Sequence, residues 1–286
     1  MSGIKVIAPV TVSGFIAGLD TPSLALDTAA IEVTGQWTEA SGVQLSSIGG
    51  QKEGVVRDPE RHVAALAAMA MLRATGQTSR GIELRIRYNI PVGRCADVAA
   101  IAAVVVLVNE LLRRPLERRE LLPVAIETYT SIHGKVGTGW VIAALLGGMT
   151  LVRDMDTLDY QRIYLPPGLY MAMVYPVYGK ELDIENAPET SETQAVNLAG
   201  FVMGMYNSDL DLVSRSMAGN HAILNERMGQ SGILGFGTHD GAVWALCNER
   251  TLSEETAQAL QALVDPGKDH TLSLACGIST EGVIVK

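Results

Sequence analysis

The spacing of apolar positions divides the chain into short strands and helices of ordinary length. Gly81–Tyr88 sets Ile82, Leu84, Ile86 and Tyr88 in alternation with charged neighbours, the period-two pattern of a half-buried strand. Ile4–Val10, Leu24–Leu26, Ala30–Val33, Met149–Val152, Met171–Tyr175, Ala242–Cys247, Leu272–Ala275 and Val283–Val285 read as further strands. Asp58-Pro59-Glu60 predicts the opening of a helix through Leu72, because acidic groups suit a helix N-terminus and proline its first position. An apolar helix reaches about Leu112 and is stopped by Arg113-Arg114-Pro115; Glu117–Thr128, Thr190–Met205, Leu210–Met217 and Ser253–Leu263, capped by Ser253, read as others. Gly49–Gly54, Ser131–Gly139, Pro176–Pro188 and the glycine-rich Gly232–Gly241 read as loops, and Trp140–Leu146 as an apolar run leading into the strand Met149–Val152. Between Arg153 and Leu165 the pattern turns polar and irregular, which places a boundary between domains 1–155 and 156–286.

Composition narrows the classes of partner. The longest apolar run, Val98–Val108, is about half the roughly 20 residues a bilayer crossing needs, so it reads as a buried helix and no membrane partner is expected. A net charge of −9 disfavours nucleic-acid backbones and anionic membranes, leaving small molecules or proteins. Cys95, Cys247 and Cys276 are odd in number and widely spaced, and the N-terminus lacks the long apolar segment of a secretory signal; a cytoplasmic location is expected.

Several strings, in order, carry a resemblance. Ile4-Lys5-Val6-Ile7-Ala8-Pro9 is followed by Gly18-Leu19-Asp20; then come Asn89-Ile90-Pro91-Val92-Gly93, Asn109-Glu110, Pro115-Leu116, Leu146-Gly147-Gly148 and Ala242–Cys247. Together they resemble the GHMP small-molecule kinases, homoserine kinase most of all, over nearly the whole chain. The resemblance implies an α+β, two-domain GHMP-kinase-like fold, with an N-terminal ribosomal S5-like α/β domain and a C-terminal ferredoxin-like domain. It also implies an active site between the domains, transfer of the γ-phosphoryl of ATP to a hydroxyl of a small metabolite, and a homodimer.

The departures from the family pattern fall on its working parts. A phosphate loop needs small residues so that backbone N–H groups can approach phosphate oxygens, and the family carries a run such as Gly-Leu-Gly-Ser-Ser-Ala. Here Pro91 is followed by Val92-Gly93-Arg94-Cys95-Ala96-Asp97, about two residues short when Asn109-Glu110 is held in register, and without the hydroxyls that would help hold Mg²⁺. Asp97 beside a polyphosphate would add a repulsion of roughly 4 kcal/mol for unit charges about 4 Å apart at an effective dielectric near 20, unless a bridging Mg²⁺ or Arg94 reversed its sign. No Mg-ATP cofactor is therefore expected. The family's third motif, a Ser-Gly-Ser-Gly-Pro-like turn, is replaced by Gly235-Phe236-Gly237-Thr238-His239-Asp240-Gly241. By the resemblance, the family's catalytic acid falls at or close to Tyr129, and its His-x-Asp-Asn-like string on Gly137–Trp140; Gly14 stands in place of an Asn, while Asp20 matches.

The residues replacing the lost loops are polar or nucleophilic, which suggests a working site. Asp20, His239, Asp240, His133 and Cys95 are the candidate catalytic groups, and Arg94, Asp97, Lys135 and Glu127 the candidate substrate contacts. Each has a plainer reading. Cys95 and Asp97 fit a small core thiol and a helix-start carboxylate, His239-Asp240 a plain turn, and His133 with Lys135 a solvated loop. Three functions stay open: an enzyme running acid–base chemistry on a small polar metabolite without ATP, a non-catalytic ligand-binding or regulatory protein, and an ATP-dependent kinase of a hydroxylated metabolite such as homoserine.

Overall fold

The computed structural model describes residues 3–51, 53–177, 182 and 190–286, so most of the loop expected over Pro176–Pro188 lies outside the described residues. The chain forms two compact units, one of Met1–Thr11, Ala29–Gly147 and Thr280–Lys286, the other of Val12–Thr28 and Gly148–Ser279. The division is therefore not a single cut. The chain crosses between units at Gly147-Gly148, while Val12–Thr28 folds with the second unit and the last seven residues, 280–286, with the first.

In the first unit, β1 (Ile4–Val12), β2 (Ser23–Thr38), β4 (Gly81–Tyr88), β3 (Val43–Gly50) and β11 (Ile284–Val285) form a sheet in the order β11-β1-β2-β4-β3. The two short runs expected at Leu24–Leu26 and Ala30–Val33 are one continuous strand, and β3 was not anticipated. β4 is antiparallel to β2 and parallel to β3. Helices α1 (Val63–Ala74), α2 (Arg94–Leu111), α3 (Leu122–His133) and α4 (Thr138–Leu146) pack on one another. α2 is buried along nearly all its length, as its unbroken apolar run requires. Gly35 of β2 lets α2 approach, since a Cβ there would lie 2.5 Å from a Leu107 methyl.

Several helices differ from expectation, among them the one expected over Glu117–Thr128, which is a 3₁₀ turn at Arg118–Leu121 followed by α3. α1 begins at Val63, because the buried His62 side chain caps it by accepting the Ala64 N–H; Asp58-Pro59-Glu60 forms a preceding turn. Trp140–Leu146 is helical, so the loop expected over Ser131–Gly139 shrinks to the short link 134–137.

The second unit contains β7 (Tyr170–Pro176), α5 (Ser191–Asn207), α6 (Leu210–Met217), α7 (Ala222–Met228), β8 (Ile233–His239), β9 (Ala242–Cys247), α8 (Arg250–Val264) and β10 (Thr271–Cys276). Its sheet order is β10-β7-β9-β8, all neighbours antiparallel, the β-α-β-β-α-β arrangement of ferredoxin-like domains. Ala172, Val174, Phe236, Val243, Ala245 and Leu260 form its core. The hairpin of β5 (Met149–Asp154) and β6 (Asp159–Ile163) pairs with Ser23 and Leu24, the part of β2 that folds with this unit. Gly232–Gly241 is a strand and its turn rather than a loop. α8 starts three residues before the expected cap: Ser253 lies inside it, with its hydroxyl on the Arg250 carbonyl.

Candidate functional site

In the first unit the candidates gather where β4 gives way to α2. After Pro91-Val92-Gly93 the chain enters α2 directly at Arg94, with no glycine-rich loop between them. Gly93 caps α2 without a side-chain bond, and Asp97 completes the first turn through its N–H to the Gly93 carbonyl. The Asp97 carboxylate receives His133 Nε2 at 2.9 Å, both side chains about one-fifth exposed (21% and 19%). His133 is the last residue of α3, and its ring lies against that of Tyr129, centroids 5.0 Å apart. The Tyr129 hydroxyl donates to the Val136 carbonyl at 3.0 Å, fixing the link that follows. Tyr88, at the end of β4, is close enough for Asp97 to act on it: burial first, then that charge, push its phenol well up.

The other first-unit candidates differ in reach. The Arg94 guanidinium lies 5.6 Å from the centre of the Trp140 ring, a cation–π contact that keeps it at the head of α2. Cys95, the second residue of α2, is buried, while Lys135 is exposed on the link before α4. Glu127 sits elsewhere: six residues before His133 on α3, it lines a groove beside α1 with Leu66, Arg73 and Ser131.

The second unit gathers a different set. His239, at the end of β8, is buried, and its Nδ1 lies 2.9 Å from the buried Ser13 hydroxyl. Trp244 Nε1 donates to the Ser13 carbonyl, and Asn220 donates to the carbonyls of Gly14 and Phe15. The turn after β1 is thus strapped to β8, β9 and the segment before α7. Ser13 and Asn220 are the partners sequence reasoning missed; no local pattern marks them, because the contacts join residues more than two hundred positions apart. Asp240 and Gly241, with φ of 51° and 79°, form the two-residue turn of the β8–β9 hairpin, a geometry that favours Asp-Gly. Asp20 is exposed, and its carbonyl accepts the Ser23 hydroxyl.

Among the described residues no group of three or more His, Cys, Asp or Glu is placed to hold a metal ion, and no helix is long and apolar enough to cross a membrane. The arrangement that can do chemistry is the Asp97–His133 pair. A carboxylate fixes one imidazole nitrogen and orients the ring, leaving Nδ1 to exchange protons.

The fold is that of the GHMP small-molecule kinases. A solved homoserine kinase from Cytophaga hutchinsonii superposes with a TM-score of 0.87 over 100% of this chain and 98% of its own, at 24% identity. A mevalonate kinase superposes with a TM-score of 0.64 over 97% of the chain at 13% identity. No family model matches the sequence. Among curated proteins, homoserine kinase of Moorella thermoacetica is 30% identical over 226 residues, 73% of this chain and 71% of that protein. That of Chloroherpeton thalassium is 26% identical over 240 residues, 76% and 74% respectively. The chain belongs to the homoserine kinase family.

Proposed function

We propose that this chain is a homoserine kinase relative that acts on a small polar metabolite by acid–base chemistry and does not use ATP. The observation that carries the proposal is the Asp97–His133 pair at the head of α2. There the positive end of an 18-residue helix, the usual seat of a phosphate, already has a carboxylate in its first turn. A triphosphate brought to that helix end would meet this charge, and the direct step from Gly93 into the helix leaves no glycine loop of free amides to cradle it. Asp97 accepting from Nε2–H makes Nδ1 the basic nitrogen of His133, suited to take a proton from a substrate hydroxyl or an acidic C–H and return it. Arg94 and Lys135 beside it favour a substrate bearing a carboxylate.

Calorimetry of the purified chain with Mg-ATP, alongside a homoserine kinase as positive control, tests the first half of the reading. Micromolar binding with phosphoryl transfer to homoserine would overturn it. For the second half, a metabolite-turnover screen is run on the wild type, Asp97→Asn and His133→Asn. Turnover abolished by His133→Asn supports the reading, whereas turnover indifferent to both substitutions sinks it. Binding without turnover gives the non-catalytic alternative.

A second reading, an ATP-dependent kinase of a hydroxylated metabolite such as homoserine, is favoured by a specific observation. Similarity to homoserine kinases covers about three quarters of the chain and reaches 30% identity. The same Mg-ATP experiment decides between the two.

A further inference from the structure

At the other end of α2, about 20 Å along the helix from Asp97 at 1.5 Å per residue, the first unit holds a cavity of about 900 Å³. Its walls come from the C-terminal turn of α2, the link through Pro115, the single 3₁₀ turn Arg118–Leu121 and the segment ending in β11. Arg118 and Glu281 both line it.

Arg118 is half-buried and anchored from one side only. Its Nη1 donates to the carbonyls of Leu145 at 3.2 Å and Val283 at 2.6 Å. A guanidinium has five N–H donors, and spending Nη1 on two carbonyls leaves the Nε–Nη2 edge, whose parallel N–H groups match a carboxylate. Among the described residues no carboxylate lies within ion-pair distance of Arg118, and that edge has no acceptor.

The neighbouring carboxylates are mostly committed. Glu110 is paired with Arg114 at 2.8 Å. Glu117 and Glu120 close a capping box around the 3₁₀ turn, Glu120 accepting the Glu117 N–H at 2.6 Å. Glu281 is exposed, with no hydrogen bond or ion pair to any described residue. One cavity thus presents a cationic fork and an anionic rim that do not neutralise each other.

We infer that this cavity binds a small zwitterion of the α-amino-acid class, its carboxylate on the Nε–Nη2 edge of Arg118 and its ammonium toward Glu281. A simple dianion meets the acidic rim and a simple cation meets Arg118; only a ligand carrying both charges satisfies both. The site is separate from the head of α2 and does not rest on the function proposed above.

The test is calorimetry of the full chain against the free L-α-amino acids, with N-acetyl and carboxamide forms of any binder as charge-deleted probes. At least one free amino acid binds one-to-one, and deleting either charge weakens it about tenfold or more. Glu281→Gln and Arg118→Lys produce the same loss, the latter because lysine keeps the charge without the fork. Both Arg118→Lys and Arg118→Gln give up the two Nη1 anchors to Leu145 and Val283, so Arg118→Lys is read only with its unfolding midpoint unchanged, alongside Glu281→Gln, which touches neither anchor. Asp97→Asn leaves the affinity unchanged. The inference is overturned if no free amino acid binds at millimolar concentration or if the capped forms bind equally well. It is equally overturned if binding survives both Glu281→Gln and Arg118→Lys, or is lost in Asp97→Asn.

Discussion

Ser13 and His239 meet through a 2.9 Å hydrogen bond, buried, across more than two hundred residues of sequence. The contact ties the turn after β1 to the end of β8 and places the imidazole in the interior of the second unit, while the adjoining Asp240 turns the hairpin. Replacing His239 by Ala leaves the Ser13 hydroxyl without that partner, a loss of about 1–3 kcal/mol in urea unfolding. Asp240→Asn keeps the left-handed turn and changes stability by less than about 0.5 kcal/mol. Equal and large losses from both would contradict the separation of roles.

Gly14 is held by its neighbours. Its φ is +83°, and a Cβ built there would lie 2.5 Å from the Thr238 carbonyl oxygen. Both Gly14→Ala and Gly14→Asn, the latter the family's residue, are expected to cost about 2 kcal/mol or more in denaturant unfolding. Unchanged stability for Gly14→Asn would show that the turn can open away from β8.

His62 makes the fold pH-sensitive. Its Nδ1 accepts the Ala64 N–H, so the ring proton sits on Nε2, facing the Tyr88 hydroxyl at 3.3 Å. Burial pulls the imidazole down to about 4 from its usual 6.5. Between those values the unfolded chain binds more protons than the folded one, so stability falls as pH drops from 6.5 toward 4, by on the order of 3 kcal/mol from this group. Asn at position 62 is itself a good cap and does not titrate. Urea unfolding of His62→Asn across this range is expected to lack that slope, and an identical slope in the variant would assign it to other groups.

Burial predicts that the three cysteines are unreactive in the native state. Cys95, Cys247 and Cys276 are all buried, and burial pushes the Cys247 thiol up to about 12. Because the thiolate is the nucleophile, iodoacetamide at pH 8 should label none of them natively and all three in urea, read by mass spectrometry. Rapid native labelling of Cys95 would instead reveal an accessible thiol at the head of α2.

Much of the molecule was legible along the chain, because burying one face of a strand imposes alternation and burying a whole helix imposes an unbroken apolar run. That is why β4, β9 and the body of α2 stand out in sequence, as do the family motifs. β8 does not, because its glycines are read as turn residues. In the fold they are gaps for neighbours: a Cβ at Gly237 would lie 2.1 Å from the Trp244 ring, and one at Gly235 2.8 Å from Met217. Sequence alone also determined that Pro91 leads into Arg94, Cys95 and Asp97 in place of a glycine loop. Only tertiary structure decided that Asp97 takes His133, 36 residues away, that Glu127 faces a different groove, and that His239 is committed to Ser13. Local pattern records which face of an element is buried. Which polar side chains meet is fixed by how elements distant in sequence pack, since a hydrogen bond reaches only about 3 Å.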